Sequence, residues 1–164
     1  MKILFENWRK FVNEVKNLVC PPATQDVNLN TENRNATREN HMYGPLNVEE
    51  PGGYWQRLAE KWNTDETAAR KSTCGVCVAF DISPRMDACM PGPVSDESGR
   101  LGYCWMHHFK CHSARSCDTW AMGGPIKDDE KSAEWQNKAF PGKSKQEEGA
   151  FSGPGPLAEP IEEQ

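Results

Sequence analysis

The chain has 164 residues, only 37% of them hydrophobic, and a formal net charge of −5 at pH 7. That apolar share is too small for one core over the whole length, so we expect an ordered middle between weakly structured flanks. The negative charge, with lysines and arginines scattered among acidic residues, argues against a nucleic-acid-binding protein.

The sequence offers neither a secretory signal nor a membrane span. The opening apolar run is interrupted by Glu6 and Asn7, and nowhere does the chain have the roughly eighteen consecutive apolar residues of a span. We therefore expect a soluble protein that stays in the cell producing it, without membrane contact. In a reducing cytosol, clustered cysteines more often bind metal than form disulfides.

Residues 1–20 are predicted to form an amphipathic helix. Apolar residues recur at alternating spacings of four and three and form one stripe: Leu4, Trp8, Phe11, Val15 and Leu18. Pro21 and Pro22 then end the helix. The stripe suits either docking on the rest of the fold or contact with another protein subunit. Glu6 and Glu14 on the polar face argue against membrane-surface binding.

The rest of the chain divides into a linker, a cysteine-rich domain and a tail. Residues 21–50 are polar and without periodicity, which predicts a flexible linker. Residues 51–126 begin with a helical segment, YWQRLAEKW, whose two tryptophans are expected to form a wall beside the cysteines. Residues 127–164 predict a mostly disordered acidic tail with one short helix at most. We predict a small, irregular, loop-rich α+β domain, stabilised by a metal or a cluster.

The cysteines of the middle region have a spacing that favours an iron–sulfur cluster. The order is C-x2-C-x11-C-x14-C, from Cys74 and Cys77 through Cys89 to Cys104. A C-x2-C pair serves zinc and iron–sulfur sites alike. A zinc ribbon repeats that pair, whereas the third and fourth cysteines here stand alone. Single ligands from separate loops suit the four corners of a cubane cluster.

Three segments together resemble the high-potential iron–sulfur proteins: CGVCVAF, CMPG and GRLGYC. The resemblance implies a buried four-iron, four-sulfur cluster with Cys74, Cys77, Cys89 and Cys104 as ligands. It also implies that Phe80 and Tyr103 line the cofactor. A second register is open, in which CDTW supplies the last ligand and Cys117 replaces Cys89.

Longer stretches are similar to small cysteine-rich proteins of marine tailed bacteriophages. They are FENWRKF, YWQRLAEKW and GYCWMHHFKCHSARSCDTWAMGGPI. This resemblance implies a viral protein of the host cytoplasm or the virion. We expect no enzymatic activity, because no helix N-terminus or paired base is evident beside any thiol. Its expected partners are other protein subunits, reached through the N-terminal helix and the flanking arms.

The sequence leaves several alternatives open. A zinc-binding structural module is the main rival to a cluster, and a soluble electron carrier is the main rival to an assembly component. Cys111 and Cys117 are expected to form a short disulfide or to be buried thiols. A second metal site would draw on His107, His108 or His112. Cys20 has no assigned role, and no base stands beside any thiol to make it a nucleophile.

Overall fold

The computed structural model describes residues 19–139, which form a mixed α+β fold with six α-helices and a four-stranded antiparallel sheet. The helices are α1 (Pro22–Gln25), α2 (Val27–His41), α3 (Tyr54–Trp62), α4 (Glu66–Lys71), α5 (Pro84–Cys89) and α6 (Asp129–Ala139). The strands are β1 (Phe80–Asp81), β2 (Ser95–Asp96), β3 (Gly99–Cys104) and β4 (Phe109–His112), and a 3-10 turn covers Cys74–Val76. The predicted α+β class is thus confirmed, and the predicted helix of residues 1–20 lies outside the described residues but for its last two.

Strand β3 is the centre of the sheet, because β1, β2 and β4 all pair with it. In this register Cys104 stands opposite Phe80 on one side and Phe109 on the other, and Gly102 stands opposite Cys111. Residues paired across strands share a face, as do residues two apart on one strand. Cys104, Cys111 and Phe80 therefore lie on the same face of the sheet.

The segment 21–50, expected to be a flexible linker, contains the longest helix of the described chain. Asp26 caps α2 by accepting from the Leu29 amide at 3.1 Å. The helix then packs on β4 through amide side chains: Asn33 donates to the His108 carbonyl at 2.7 Å, and Asn30 accepts from the Lys110 amide at 2.7 Å. Because this contact face is polar, the sequence shows no apolar periodicity over the helix.

A small second core forms between α3 and α4. It contains Tyr54, Trp55, Leu58, Ala59 and Ala69. The Tyr54 hydroxyl lies 2.9 Å from the Ser116 carbonyl oxygen, and Trp62 donates to the Asp118 carbonyl at 3.0 Å. The α3–α4 pair is thereby fixed against the segment that carries Cys117.

Helix α6 is attached to the sheet by a buried polar network. The Asp81 carboxylate, fully buried, accepts from Trp105 Nε1 at 3.0 Å and from the Ser132 hydroxyl at 2.5 Å. Arg85 on α5 donates to the same hydroxyl at 2.6 Å. The one short helix allowed in the predicted tail is therefore docked on the domain, and residues 140–164 lie outside the described part.

No helix within residues 19–139 combines the length and the apolar composition needed to cross a membrane.

Candidate functional site

Two of the seven cysteines form a disulfide, Cys20 with Cys89, across a sequence separation of 69 residues. The start of the described chain lies against α5 and α6 here: Gln25 of α1 donates to the Cys89 carbonyl at 2.6 Å, and Gln136 donates to the carbonyl of Val19, before α1, at 2.5 Å. Cys20 thus has a partner, contrary to our expectation. Cys89, the third predicted ligand, has its sulfur bonded to carbon and to Cys20, so it has no thiolate to offer.

The other five cysteines are free thiols, and all are buried: Cys74, Cys77, Cys104, Cys111 and Cys117. None exposes more than 8% of its surface, and all belong to the main hydrophobic core. They come from the 3-10 turn, from β3, from β4 and from the loop after β4. Three predicted ligands are therefore brought together, and we call these five residues the thiol cluster.

The sulfurs of the thiol cluster are close enough to affect one another's ionisation. The Cys111 thiol hydrogen-bonds to the sulfurs of Cys104 and Cys74. Cys117 interacts electrostatically with Cys74, Cys104 and Cys77. The five residues therefore form one group and not two separate pairs.

Burial makes the thiolate form unfavourable for most of these residues. Desolvation raises the pKa of Cys77 to about 12 and raises the pKa values of Cys111 and Cys117 well above their ordinary value. The pKa of Cys104 moves in the opposite direction, because the hydrogen bond from Cys111 lowers it. Cys104 therefore accommodates a negative charge better than Cys77, Cys111 or Cys117.

Backbone hydrogen bonds hold the C-x2-C turn in place. The Cys74 amide donates to the Arg115 carbonyl at 2.7 Å, and the Cys77 amide donates to the Cys74 carbonyl at 2.9 Å. Gly124 lies directly against the Cys77 carbonyl, where an added Cβ would be 1.7 Å from the oxygen. The turn is thus held between two segments that are distant in sequence, one containing Arg115 and the other Gly124.

Two of the sulfurs also accept backbone N–H groups. Cys77 receives those of Ala79 and Ala121, and Cys104 receives those of Met106 and His107. Each of these hydrogen bonds stabilises the charged form of the sulfur. An ordinary buried thiol needs no such donors, whereas a thiolate bound to a metal benefits from them.

The two aromatic residues predicted to line a cofactor lie on different faces of the sheet. Phe80 shares the face of Cys104, and its ring covers Gly102, where an added Cβ would be 2.5 Å from ring carbons. Tyr103 points the other way, since neighbouring residues on a strand alternate. Its hydroxyl lies 3.1 Å from His108 Nδ1. Phe80 thus lies beside the thiol cluster, and Tyr103 lies on the opposite face of the sheet.

The three histidines considered for a second metal site have three different partners. His107 Nε2 lies 2.6 Å from the Thr119 hydroxyl, His108 Nδ1 contacts Tyr103, and His112 Nε2 lies 3.2 Å from an Asp96 oxygen. Burial lowers the pKa of His107 to about 3 and that of His108 to about 4, so both are neutral at pH 7. The structure does not bring these rings to a common point.

Within residues 19–139, no three or more His, Cys, Asp or Glu side chains stand in an arrangement that could hold a metal ion. The thiol cluster supplies ligands of the right type from converging segments. Its sulfurs, however, hydrogen-bond to one another. Metal binding would require them to turn toward a shared centre.

Cys111 and Thr119 were not among the residues predicted to bind or line the cluster. Cys111 was expected to be in a short disulfide or to be a buried thiol; it is a buried thiol, and the antiparallel pairing of β4 with β3 brings it to Cys104. The Thr119 hydroxyl lies 3.2 Å from the Cys117 sulfur. The only sequence signal for Thr119 is its place within CDTW, two residues after Cys117.

Comparison of the chain with protein-family models, with curated proteins and with solved structures gave no significant match.

Proposed function

We propose that this protein binds a four-iron, four-sulfur cluster through Cys74, Cys77, Cys104 and Cys117. One observation carries the proposal: five free, buried cysteines converge from four segments of the chain. Cys117 takes the place first predicted for Cys89, which is disulfide-bonded. This is the second of the two registers that the sequence allows.

The surroundings of the sulfurs support a metal centre over a plain thiol core. Four thiolates in a dry pocket repel one another and lose hydration, so they need a compensating cation. The backbone N–H groups aimed at Cys77 and Cys104 favour the charged form of both sulfurs. Iron ions would supply the remaining compensation, and sulfur ligands suit them.

The arrival of ligands from separate segments of the chain favours a cluster over a single zinc ion. Zinc holds its thiolates about 2.3 Å from one point, which requires tight convergence of all four sulfurs. A cubane accepts thiolates at four separate corners, as the turn, the strand and the later loop would provide them. A zinc site with the same residues is the alternative.

Burial would restrict the charge of such a cluster. With four thiolates the core has a net charge of −1, −2 or −3 in its successive oxidation states, and the desolvation cost grows roughly with the square of the charge. Every ligand proposed here is less than 9% exposed. The pocket would therefore disfavour the −3 state and support a high reduction potential.

The experiment is elemental analysis of the full chain purified without oxygen. We expect about four iron and four acid-labile sulfide per chain, with broad absorbance of visible light. Cys117→Ser is expected to lose most of the iron, because the proposed fourth ligand is removed. The matched control, Cys20→Ser with Cys89→Ser, is expected to retain it. Colourless protein with one zinc would establish the alternative, and protein without metal would refute both.

A second candidate function, outer-sphere electron transfer, has an observation of its own. Val76, inside the C-x2-C turn, is 43% exposed, and Met122, bridged to Cys77, is 81% exposed. With Trp120 they border a surface cavity of about 620 Å³. This apolar surface gives an electron a short path to the cluster. Repeated reduction and reoxidation without loss of iron is expected of a carrier, and cluster breakdown on reduction would argue for a structural role.

We also propose that the protein is an assembly component that binds other subunits of a larger particle. The support is the apolar stripe in the sequence of residues 1–18, which has the spacing of a subunit-binding helix. The protein should sediment with intact particles, and a version lacking residues 2–18 should not. Recovery of the full chain only in the soluble lysate would contradict this role.

A further inference from the structure

The Thr119 hydroxyl lies between the sulfur of Cys117 and the ring of His107. It is 3.2 Å from Cys117 Sγ and 2.6 Å from His107 Nε2. None of the three residues exposes more than 7% of its surface. The three side chains thus form a linear series of two hydrogen bonds, buried away from bulk water.

At the His107 end of this series, the second ring nitrogen has no hydrogen-bond partner among the described residues. This orphaned nitrogen, His107 Nδ1, is buried. The ring itself is held in place, since it stacks on His41 with the centroids 4.5 Å apart. A buried acceptor without a donor is tolerated better than a buried N–H without an acceptor, since orphaned buried N–H groups are the rarer of the two in folded proteins.

The orphaned nitrogen gives the hydrogen bonds a direction. If Cys117 donated to Thr119, the Thr119 hydrogen would go to His107 Nε2, and the ring proton would sit on Nδ1 without an acceptor. In the opposite direction the proton is on Nε2, Thr119 accepts it, and the Thr119 hydrogen goes to the sulfur. The second direction leaves only a bare nitrogen unpaired. It also makes Cys117 purely an acceptor, as a metal-bound sulfur must be.

We propose that Thr119 is a positioning residue that donates its hydroxyl hydrogen to the Cys117 ligand sulfur, oriented by the Nε2–H tautomer of His107. The inference rests on the metal site proposed above and adds a residue to it. A hydrogen bond to a ligand sulfur withdraws negative charge and favours the reduced state of a cluster. It also fixes the side-chain orientation of the ligand.

Thr119→Val tests the donation, because valine keeps the shape and removes the hydroxyl. In the full chain with its cluster, we expect the reduction equilibrium to shift toward the oxidised form by on the order of tenfold, which is about 59 mV for one electron. Thr119→Ser should restore the wild-type potential. The control is Thr37→Val, which removes another buried hydroxyl, bonded to the Asn33 carbonyl of α2.

A second measurement does not depend on Thr119→Val folding. Nitrogen-15 NMR of the His107 ring in the wild-type chain should show the Nε2–H tautomer. An Nδ1–H ring, or an unchanged potential in Thr119→Val with full iron content, would overturn this inference and leave the metal site standing. Wild-type protein without iron or zinc would overturn the metal site, and the inference with it.

Discussion

Gly124 is required by the position of the cysteine turn and not by its own backbone conformation. An added Cβ would lie 1.7 Å from the Cys77 carbonyl oxygen and 2.8 Å from the Val78 nitrogen. Both are backbone atoms, so neither can move without displacing the turn. The close approach of residues 123–126 to the turn thus depends on the missing side chain.

We predict that Gly124→Ala lowers the free energy of unfolding by at least about 2 kcal/mol, as expected for overpacking against a fixed backbone. Urea unfolding of the full chain measures it. Gly53→Ala is the control, since its Cβ would meet only the flexible ends of Arg57 at 3.1 Å and Gln56 at 3.9 Å. Equal stability of the two variants would contradict the tight contact with Cys77.

The pKa of the Asp96 carboxyl is lowered mainly by one neighbour, Ser98. Hydrogen bonds from the Ser98 hydroxyl and amide, followed by His112, lower the pKa of its carboxyl to about 2. A lowered folded-state pKa stabilises the fold above the unfolded value of about 3.9. This contribution is lost as the pH falls through the folded value, between about pH 4 and pH 2.

We predict that Ser98→Ala raises the pKa of Asp96 toward its ordinary value, because the largest cause of the lowering is removed. The change should appear in the carbon-13 NMR titration of that carboxyl. Ser95→Ala removes a hydroxyl from the same hairpin that is not among the causes of the lowered Asp96 pKa, and it should leave the titration unchanged. An unaltered titration in Ser98→Ala would show that the hydroxyl contributes nothing.

Helix α5 and the chain before α1 are joined by the Cys20–Cys89 disulfide. The bond closes a loop with a sequence separation of 69 residues, which restricts the unfolded chain. We predict that the free energy of unfolding of the Cys20→Ser, Cys89→Ser double variant is about 4 kcal/mol lower than that of the oxidised protein. Denaturant titration of both forms is the measurement.

The same double variant decides the role of Cys89. Its iron content should equal that of the wild type, because the disulfide takes no part in the proposed site. Loss of iron in this variant would restore Cys89 as a ligand. Such a result would then favour the register with Cys74, Cys77, Cys89 and Cys104.

Over the whole molecule, the thiol cluster is where otherwise separate segments of the main core meet. Its five residues come from the 3-10 turn and the residue after it, from strands β3 and β4, and from the loop that α3 contacts. A ligand that binds only the folded state raises its stability. A metal centre at this point would therefore stabilise the domain as a unit.

We predict that the loaded protein has a higher thermal midpoint than the same protein after metal removal by a chelator under anaerobic conditions. Cys117→Ser should have the same midpoint with and without chelator, since it lacks a proposed ligand. A wild-type midpoint that is unaffected by metal removal would exclude a stabilising role.

Local features of the chain could be predicted because they depend on neighbours in sequence. Helix α3 buries Trp55, Leu58 and Ala59 on one face, as their spacing indicates. The C-x2-C pair forms a tight turn, and Cys104 joins it at the end of a strand. Helix α2 was missed, because its buried Asn33 and Thr37 are polar and give no apolar pattern.

The sequence by itself determined the mixed α+β character, the amphipathic face of α3 and the cysteine-bearing turn. Only the tertiary structure decided which sulfurs meet. Cys89 pairs with Cys20, and Cys111 and Cys117 join Cys74, Cys77 and Cys104. The physical reason is that spacing encodes the local conformation of a chain, whereas the partner of a thiol is set by strand register and by contacts between distant segments.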